Sequence, residues 1–268
     1  MTRTLEIIRI FALKDFRIAL TYRLSFVLGL FTAFYGMLTF FFVSRVVGHG
    51  SQVGTPDEYF RFVVIGVTMS NVLRAAVMTA ASNARRDQVE GTLEMLATQP
   101  MSPIALALGW SALPVIESII EGIVMMLVAV PLGFSGFSPD WLSVLLVLAI
   151  SVPVFLAIGF IGAAFVLAIQ QGVGIMGMAV AVMSLVGGAI FPVAVLPSSA
   201  GFLTKISPLT YTLKAMRGAM LDGQSPAHLL SGDLGIVLIY AAVAMPLAAI
   251  LLSASFRFAR SRGTLARF

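Results

Sequence analysis

The sequence predicts an all-α polytopic membrane protein, a single transmembrane domain spanning 1–268 with six transmembrane helices. Composition is the first reason: 59% of the 268 residues are hydrophobic and 11% charged, mean hydropathy is +1.01, and soluble domains carry roughly 25% charged residues. Apolar runs are the second, because several are long enough to cross a hydrocarbon core of about 30 Å at 1.5 Å rise per residue. The third is where the cations sit. Lys and Arg collect at chain ends and short loops, as an anionic membrane surface and orientation rules require, and form no patch for nucleic acid. With no cysteine in the chain, disulfides, thiolate metal sites and cysteine nucleophiles are excluded. His49 and His228 fall in separate predicted loops, so no metal site is expected.

Taken in order, Thr2–Arg23 reads as an amphipathic interfacial helix. Leu5, Ile8, Phe11, Phe16 and Leu20 recur at helical spacing, with Arg3, Arg9, Lys14, Arg17 and Arg23 as cationic positions. The same residues would also serve as a plain basic flank that orients the first span. No cleavable signal peptide is expected, since the following apolar run is too long for one. Span one is Leu24–Val43, and Ser44–Pro56, with Gly48, Gly50 and Gly54, is an outer loop. Span two, about Tyr59–Ala81, carries Arg61 near one end and Asn71 and Arg74 inside. Asn83–Pro103 is a charged handle, probed further below. Span three lies within Ile104–Phe134 and holds Glu117 and Glu121 one helical turn apart, on one face.

Ser135–Asp140 forms a turn before span four, Trp141–Ile169, whose Trp141 suits a membrane interface. Gln170–Gly172 is a tight polar link to span five, about Val173–Leu196. Pro197–Gly232 leaves the membrane core as an outer segment with a short helix, Tyr211–Met220. Span six is about Leu234–Phe256, and Arg257, Arg260, Arg262 and Arg267 close the chain. The richer cationic side comprises both ends and Arg85–Arg86; the other holds Arg45, Lys205, Lys214 and Arg217. By the positive-inside rule, both termini and the handle are cytoplasmic in a multi-pass cell membrane protein.

Arg85, Arg86, Asp87, Glu90 and Glu94 fall within ten residues of the handle. On one helix, Asp87, Glu90 and Glu94 would offer carboxylates to a basic cleft of a partner, while Arg85 and Arg86 meet lipid phosphates or acidic partner residues. Alternatively the segment is a solvated loop whose charges keep it out of lipid. An acidic residue at a helix centre costs about 2.5–3.5 kcal/mol on insertion scales, so Glu117 and Glu121 must face protein or water. They line a path, bind a cation or relay protons, or else act as structural polar glue. Helical rise puts Arg74 and Glu117 at similar depth, about 10 Å inside their spans, and a buried pair between them is expected, with Glu121 left free. Gly187-Gly188 and Phe191-Pro192 interrupt span five, for close packing or as a gate. No G-x-x-x-x-G-K-[ST] phosphate loop occurs, so neither ATP hydrolysis nor covalent enzyme chemistry is expected on this chain.

Several blocks together resemble one family. Val89-Glu90-Gly91-Thr92-Leu93-Glu94-Met95-Leu96 with Pro100 and Ser102 is similar to the cytosolic segment of type-2 ABC exporter permeases. Gln170-Gln171, Gly187-Gly188-Ala189-Ile190-Phe191-Pro192, Pro197 and Ile206-Ser207-Pro208-Leu209-Thr210-Tyr211 with Arg217 resemble that family's fifth span and outer segment. One departure is visible: many relatives have Gly-Lys where this chain has Gly109-Trp110. The resemblance implies a dimer of six-span subunits, homo- or heteromeric, served by two ATP-binding subunits that carry the ATP and Mg and dock on the cytosolic coupling segment. Arg85, Arg86, Asp87, Glu90, Gly91, Thr92 and Glu94 would make that contact. The expected activity is ATP-driven export of a lipid, glycan-lipid or hydrophobic drug. A proton- or cation-coupled secondary transporter using Glu117 and Glu121 is the alternative.

Overall fold

The computed structural model describes residues 23–47, 55–99, 102–134, 138–169, 172–197 and 201–262. The predicted interfacial helix Thr2–Arg23, apart from Arg23 itself, lies outside these residues, as do Gly48, Gly50, Gly54, Pro100 and Gln170-Gln171. Every regular element among the described residues is helical: α1 (Arg23–Val47), α2 (Pro56–Val89), α3 (Thr92–Thr98), α4 (Pro103–Ala129), α5 (Trp141–Ile169), α6 (Val173–Val186), α7 (Gly201–Ile206), α8 (Pro208–Leu221), α9 (Pro226–Ser231) and α10 (Asp233–Arg262). Short 3-10 turns cover Val130–Leu132 and Val193–Val195.

Helix α2 is the hub, packing on α5 and α4 along its length and on α1, α6 and α8 at its sides. Its start is set by a capping box: Thr55 accepts from the Glu58 N–H and the Glu58 carboxylate accepts from the Thr55 N–H, with Pro56 at the first helical position. An ion pair of 3.2 Å between Arg45 and Asp57 ties the end of α1 to this start. At 34 residues α2 is about 51 Å long, well beyond the roughly 30 Å of a hydrocarbon core. It therefore runs on past the apolar layer as one rod, and the first part of the predicted handle is its tip.

Four helical stretches are long and apolar enough to cross a membrane: Pro56–Val89, Pro103–Leu132, Trp141–Ile169 and Asp233–Ala259. They correspond to the predicted spans two, three, four and six. The other two expected spans are represented by shorter apolar helices, Phe34–Val46 within α1 and Val173–Val186. Span five was expected to run to Leu196, but α6 stops at Val186. Gly188 there adopts φ +80°, a left-handed conformation that glycine reaches without strain, and the chain turns back on itself. The helix of the outer segment begins at Pro208 rather than Tyr211, and is buried through Leu209, Leu213 and Met216. It packs against α2, α5 and α10.

The larger core gathers Phe60, Ile65, Leu73, Phe155, Leu213 and Met216; a second cluster at the handle end joins Ala80, Ala84, Leu93, Trp110, Phe160 and Phe256. In lipid, helices gain little from the hydrophobic effect and associate through close contact, which small residues allow. Gly159 of α5 is such a point: a Cβ there would run into the Ala76 carbonyl oxygen and lie 3.1 Å from the Val77 Cα. We therefore expect Gly159→Ala to destabilise the protein by about 1–3 kcal/mol, the usual cost of overpacking. Gly36→Ala, whose Cβ would meet no atom within 4 Å, should stay within about 0.5 kcal/mol of the parent. Thermal unfolding of the purified protein in one detergent reads both, and equal losses would show that the α2–α5 contact is not tight.

Candidate functional site

The handle is two helices joined by an elbow. Helix α2 ends at Val89, Glu90 caps it, and Gly91 at φ +72° breaks the helix before the seven-residue α3. Glu94 thus lies on a different helix from Asp87 and Glu90, which were expected to share one with it. The elbow is buttressed from within: Leu93 is fully buried, and the Thr92 hydroxyl donates to the Asp87 carbonyl at 3.3 Å. Its outer surface presents Arg86, Val89, Glu90, Thr92, Glu94 and Met95, all exposed. Arg86 and Glu90 approach to 3.9 Å, but an exposed i,i+4 pair contributes only about 0.3–0.5 kcal/mol. Arg85 donates to the Gln88 side chain at 3.2 Å.

Asp87 departs from the expectation that it meets a partner. It is 8% exposed, and the Trp110 indole N–H donates to its carboxylate at 3.0 Å. One turn away on α2, the Asn83 amide donates to the Trp110 carbonyl at 3.3 Å. That second bond follows from the sequence of α4. Pro114 has no N–H, so the carbonyl four residues earlier, that of Trp110, lacks its helical donor. Asn83 supplies it. The two bonds form a clasp between α2 and α4 just inside the elbow. Trp110 thus serves the buried carboxylate with a neutral donor.

One to three turns further along α4, Pro114, Glu117, Ser118 and Glu121 line a cavity of about 210 Å³ together with Asn71 and Arg74 of α2. The four intramembrane polar residues picked out from sequence therefore share one site. The pairing inside it differs from expectation. No ion pair within 4.0 Å joins Arg74 to Glu117 among the described residues, and Arg74 is exposed at the cavity mouth. Equal depth along two helices does not fix the direction in which the side chains leave them. Glu121 points toward α1, its Oε1 lying 3.5 Å from where a Cβ on Gly29 would be.

At the opposite end of the bundle the predicted outer motif is held by Arg217. Its guanidinium stacks 3.4 Å from the Phe62 ring and donates to the carbonyls of Phe62 (3.1 Å), Gly188 (2.9 Å) and Ala189 (3.4 Å). Burial pulls it down to about 9, so it remains cationic at neutral pH. Gly187 packs against the Leu209 side chain, and Gly66 lacks the Cβ that would collide with the Ala189 carbonyl. Phe191 is half exposed, and Pro192 leads into the 3-10 turn. Pro208 is the first residue of α8. Tyr211 and Tyr240 donate to the carbonyls of Lys205 (2.9 Å) and Ile206 (2.8 Å) at the end of α7. Asn83 and Tyr240 were not singled out from sequence, and Trp110 only as a departure from the family pattern; the proline four residues after Trp110 signalled that a donor would be needed.

Among the described residues no group of three His, Cys, Asp or Glu could hold a metal. The ABC-2 type transporter family profile matches residues 8–221. The chain belongs to the ABC-2 type transporter family. A relative, Nodulation protein J of Sinorhizobium fredii (strain NBRC 101917 / NGR234), is 29% identical over 178 residues, which cover 65% of this chain and 68% of the relative. As a permease of this family the protein is a membrane transport subunit, and ABC-2 permeases work with ATP-binding subunits.

The clasp and the Arg217 anchor each give a measurable expectation. Trp110→Phe keeps the ring but removes the donor to a buried carboxylate, and should cost about 1.5–3 kcal/mol. Asp87→Asn, which keeps an acceptor oxygen, should cost less than Asp87→Ala, and chemical or thermal unfolding in detergent would rank the three. Arg217→Gln removes a charged donor from three carbonyls and should likewise cost about 1.5–3 kcal/mol. Loss of protection at the Gly188 and Ala189 amides in hydrogen exchange should accompany it; unchanged exchange there would show that the turn holds its shape without the arginine.

Proposed function

We propose that this protein is the membrane-spanning permease subunit of an ATP-driven exporter, with ATP and Mg bound and hydrolysed on a separate chain. The observation that carries the reading is the clasped elbow: an exposed surface of mixed charge and apolar groups, held through Asn83, Asp87 and Trp110 to two helices at once. A solvated loop needs no such buttress. The ATP-binding subunit docks on Arg86, Glu90, Thr92, Glu94 and Met95, and its movement tilts the tip of α2 and, through the clasp, the start of α4. Pro114 lies one turn beyond Trp110, where a helix bends most easily, so the movement reaches the polar cavity.

In this reading α1 and α6 complete six crossings. Both keep large apolar side chains exposed, among them Phe31 and Tyr35 on α1 and Ile175 and Met178 on α6, surfaces for lipid and for a second permease subunit in a homo- or heterodimer. Two ATP-binding subunits serve the pair. The handle and both termini are cytoplasmic, the Arg217-anchored end faces outward, and the cargo is a lipid, glycan-lipid or hydrophobic drug passing the cavity. Reporters fused at Phe268 and within Asn83–Pro103 should then read cytoplasmic, and one within Ser198–Lys205 external.

Reversing Glu90 and Glu94 to Lys together tests the docking face. Exposed charges contribute up to about 1 kcal/mol each, so recovery of the co-expressed ATP-binding subunit with the permease should fall several-fold. Insertion and thermal stability should not change, because both side chains point away from the core. Full assembly and undiminished ATP-dependent export by the double variant would return the elbow to the role of a solvated loop.

A further inference from the structure

We propose that the cavity between α2 and α4 binds the neutral head group, rich in hydroxyl or amide functions, of an amphiphilic molecule. The proposal rests on the export reading only in naming that molecule as cargo. Arg74, Asn71 and Glu121 line the cavity and make no hydrogen bond or ion pair among the described residues. A guanidinium that donates, a carboxylate that accepts and an amide that does both thus converge on one space without satisfying one another. Polar groups at this level of a spanning helix are costly unless they meet water or a ligand. An anionic head would be drawn by Arg74 but held off by Glu121; a cationic head meets the reverse. A hydroxyl or secondary amide donates to the carboxylate and accepts from the guanidinium at once, with no net charge left over.

Size agrees with a head group rather than a whole molecule. The volume of about 210 Å³ is below the ~300–1,000 Å³ of sites that enclose a drug-sized ligand. Met78 of α2 and Pro114 of α4 give the same cavity apolar wall, against which the first part of a hydrocarbon tail would lie. The walls supply only what a polyol or amide can use: the Ser118 hydroxyl already donates to the Val115 carbonyl at 2.8 Å and keeps its lone pairs for a donor from the ligand.

The chain has no cysteine, so a single Ala75→Cys in the cavity wall makes occupancy readable as the rate of maleimide alkylation in phosphatidylcholine nanodiscs. Decyl glucoside, decyl sulfate and decyltrimethylammonium share one tail and differ in head charge. Added below solubilising concentrations, decyl glucoside should slow alkylation about fivefold more than either charged probe, the ratio that one ordinary hydrogen bond supplies. A second cysteine, Met178→Cys on the exposed face of α6, should be unaffected by all three. Arg74→Leu and Glu121→Gln should each abolish the preference; if either fails to run as a single species, Asn71→Ala takes its place. Equal slowing by the three probes, stronger slowing by a charged one, or a preference that survives these substitutions would overturn the proposal. Export driven by the ATP-binding subunit with no head-group preference would sink this site alone. A preference in a permease that never engages such a subunit would sink the export reading and leave the site standing.

Discussion

A backbone carbonyl that loses its donor inside a membrane protein has no water to turn to, and must find a partner within the fold. Much of this structure follows from that constraint. The Trp110 carbonyl loses its donor to Pro114, and Asn83 replaces it from the neighbouring helix. The carbonyls of Gly188 and Ala189 lose theirs where α6 breaks, and Arg217 replaces them from a third element. In each case a local interruption of one helix becomes a bond between helices. Such bonds are directional, whereas the apolar contacts around them are not, so they fix register as well as proximity. The two ends of the bundle are each defined by one of them.

Much of this was legible in the sequence because the bilayer imposes a length scale. Four crossings are visible as long apolar runs, two of them holding a few polar residues, and α5 covers the predicted Trp141–Ile169 end to end. The glycine pair in the fifth run announced an interruption, and the same pair ends α6 ten residues before the apolar run itself ends. Asn71, Arg74, Glu117 and Glu121 stood out because charge is scarce in such segments, and scarcity is enough to bring them to one cavity. What sequence could not give is azimuth. Depth along a helix follows from counting residues, but the direction of a side chain depends on which neighbour each helix leans against. Arg74 therefore opens to the cavity mouth instead of pairing with Glu117, and Asp87 turns inward to Trp110 although five charges in ten residues suggested a uniformly solvated face.

The position held by Trp110 shows how one buried group constrains another. A carboxylate under a helix elbow is tolerated because a donor is aimed at it, and an indole N–H satisfies this as an ammonium would, without adding a charge. Trp110 also brings a large apolar body into the small cluster formed by Ala80, Ala84, Phe160 and Leu252. Rigidity at the elbow and burial at the core end of α4 are thus supplied by the same side chain.

Three long helices contain an internal proline, Pro114 in α4, Pro153 in α5 and Pro246 in α10. Helix α2 has none beyond its first residue. A proline-free helix continuous over 34 residues behaves as a strut among members that can flex. Packed on α5 and α4 along its length, it would pivot more readily than it bends, so a sideways push at the Glu90 tip would swing Pro56 the opposite way. The Thr55 cap, the Arg45–Asp57 pair and the Phe62 ring beneath Arg217 all ride on that far arm. A lever of this kind would link the outer turn of α6 to the elbow with no chain of intervening contacts required.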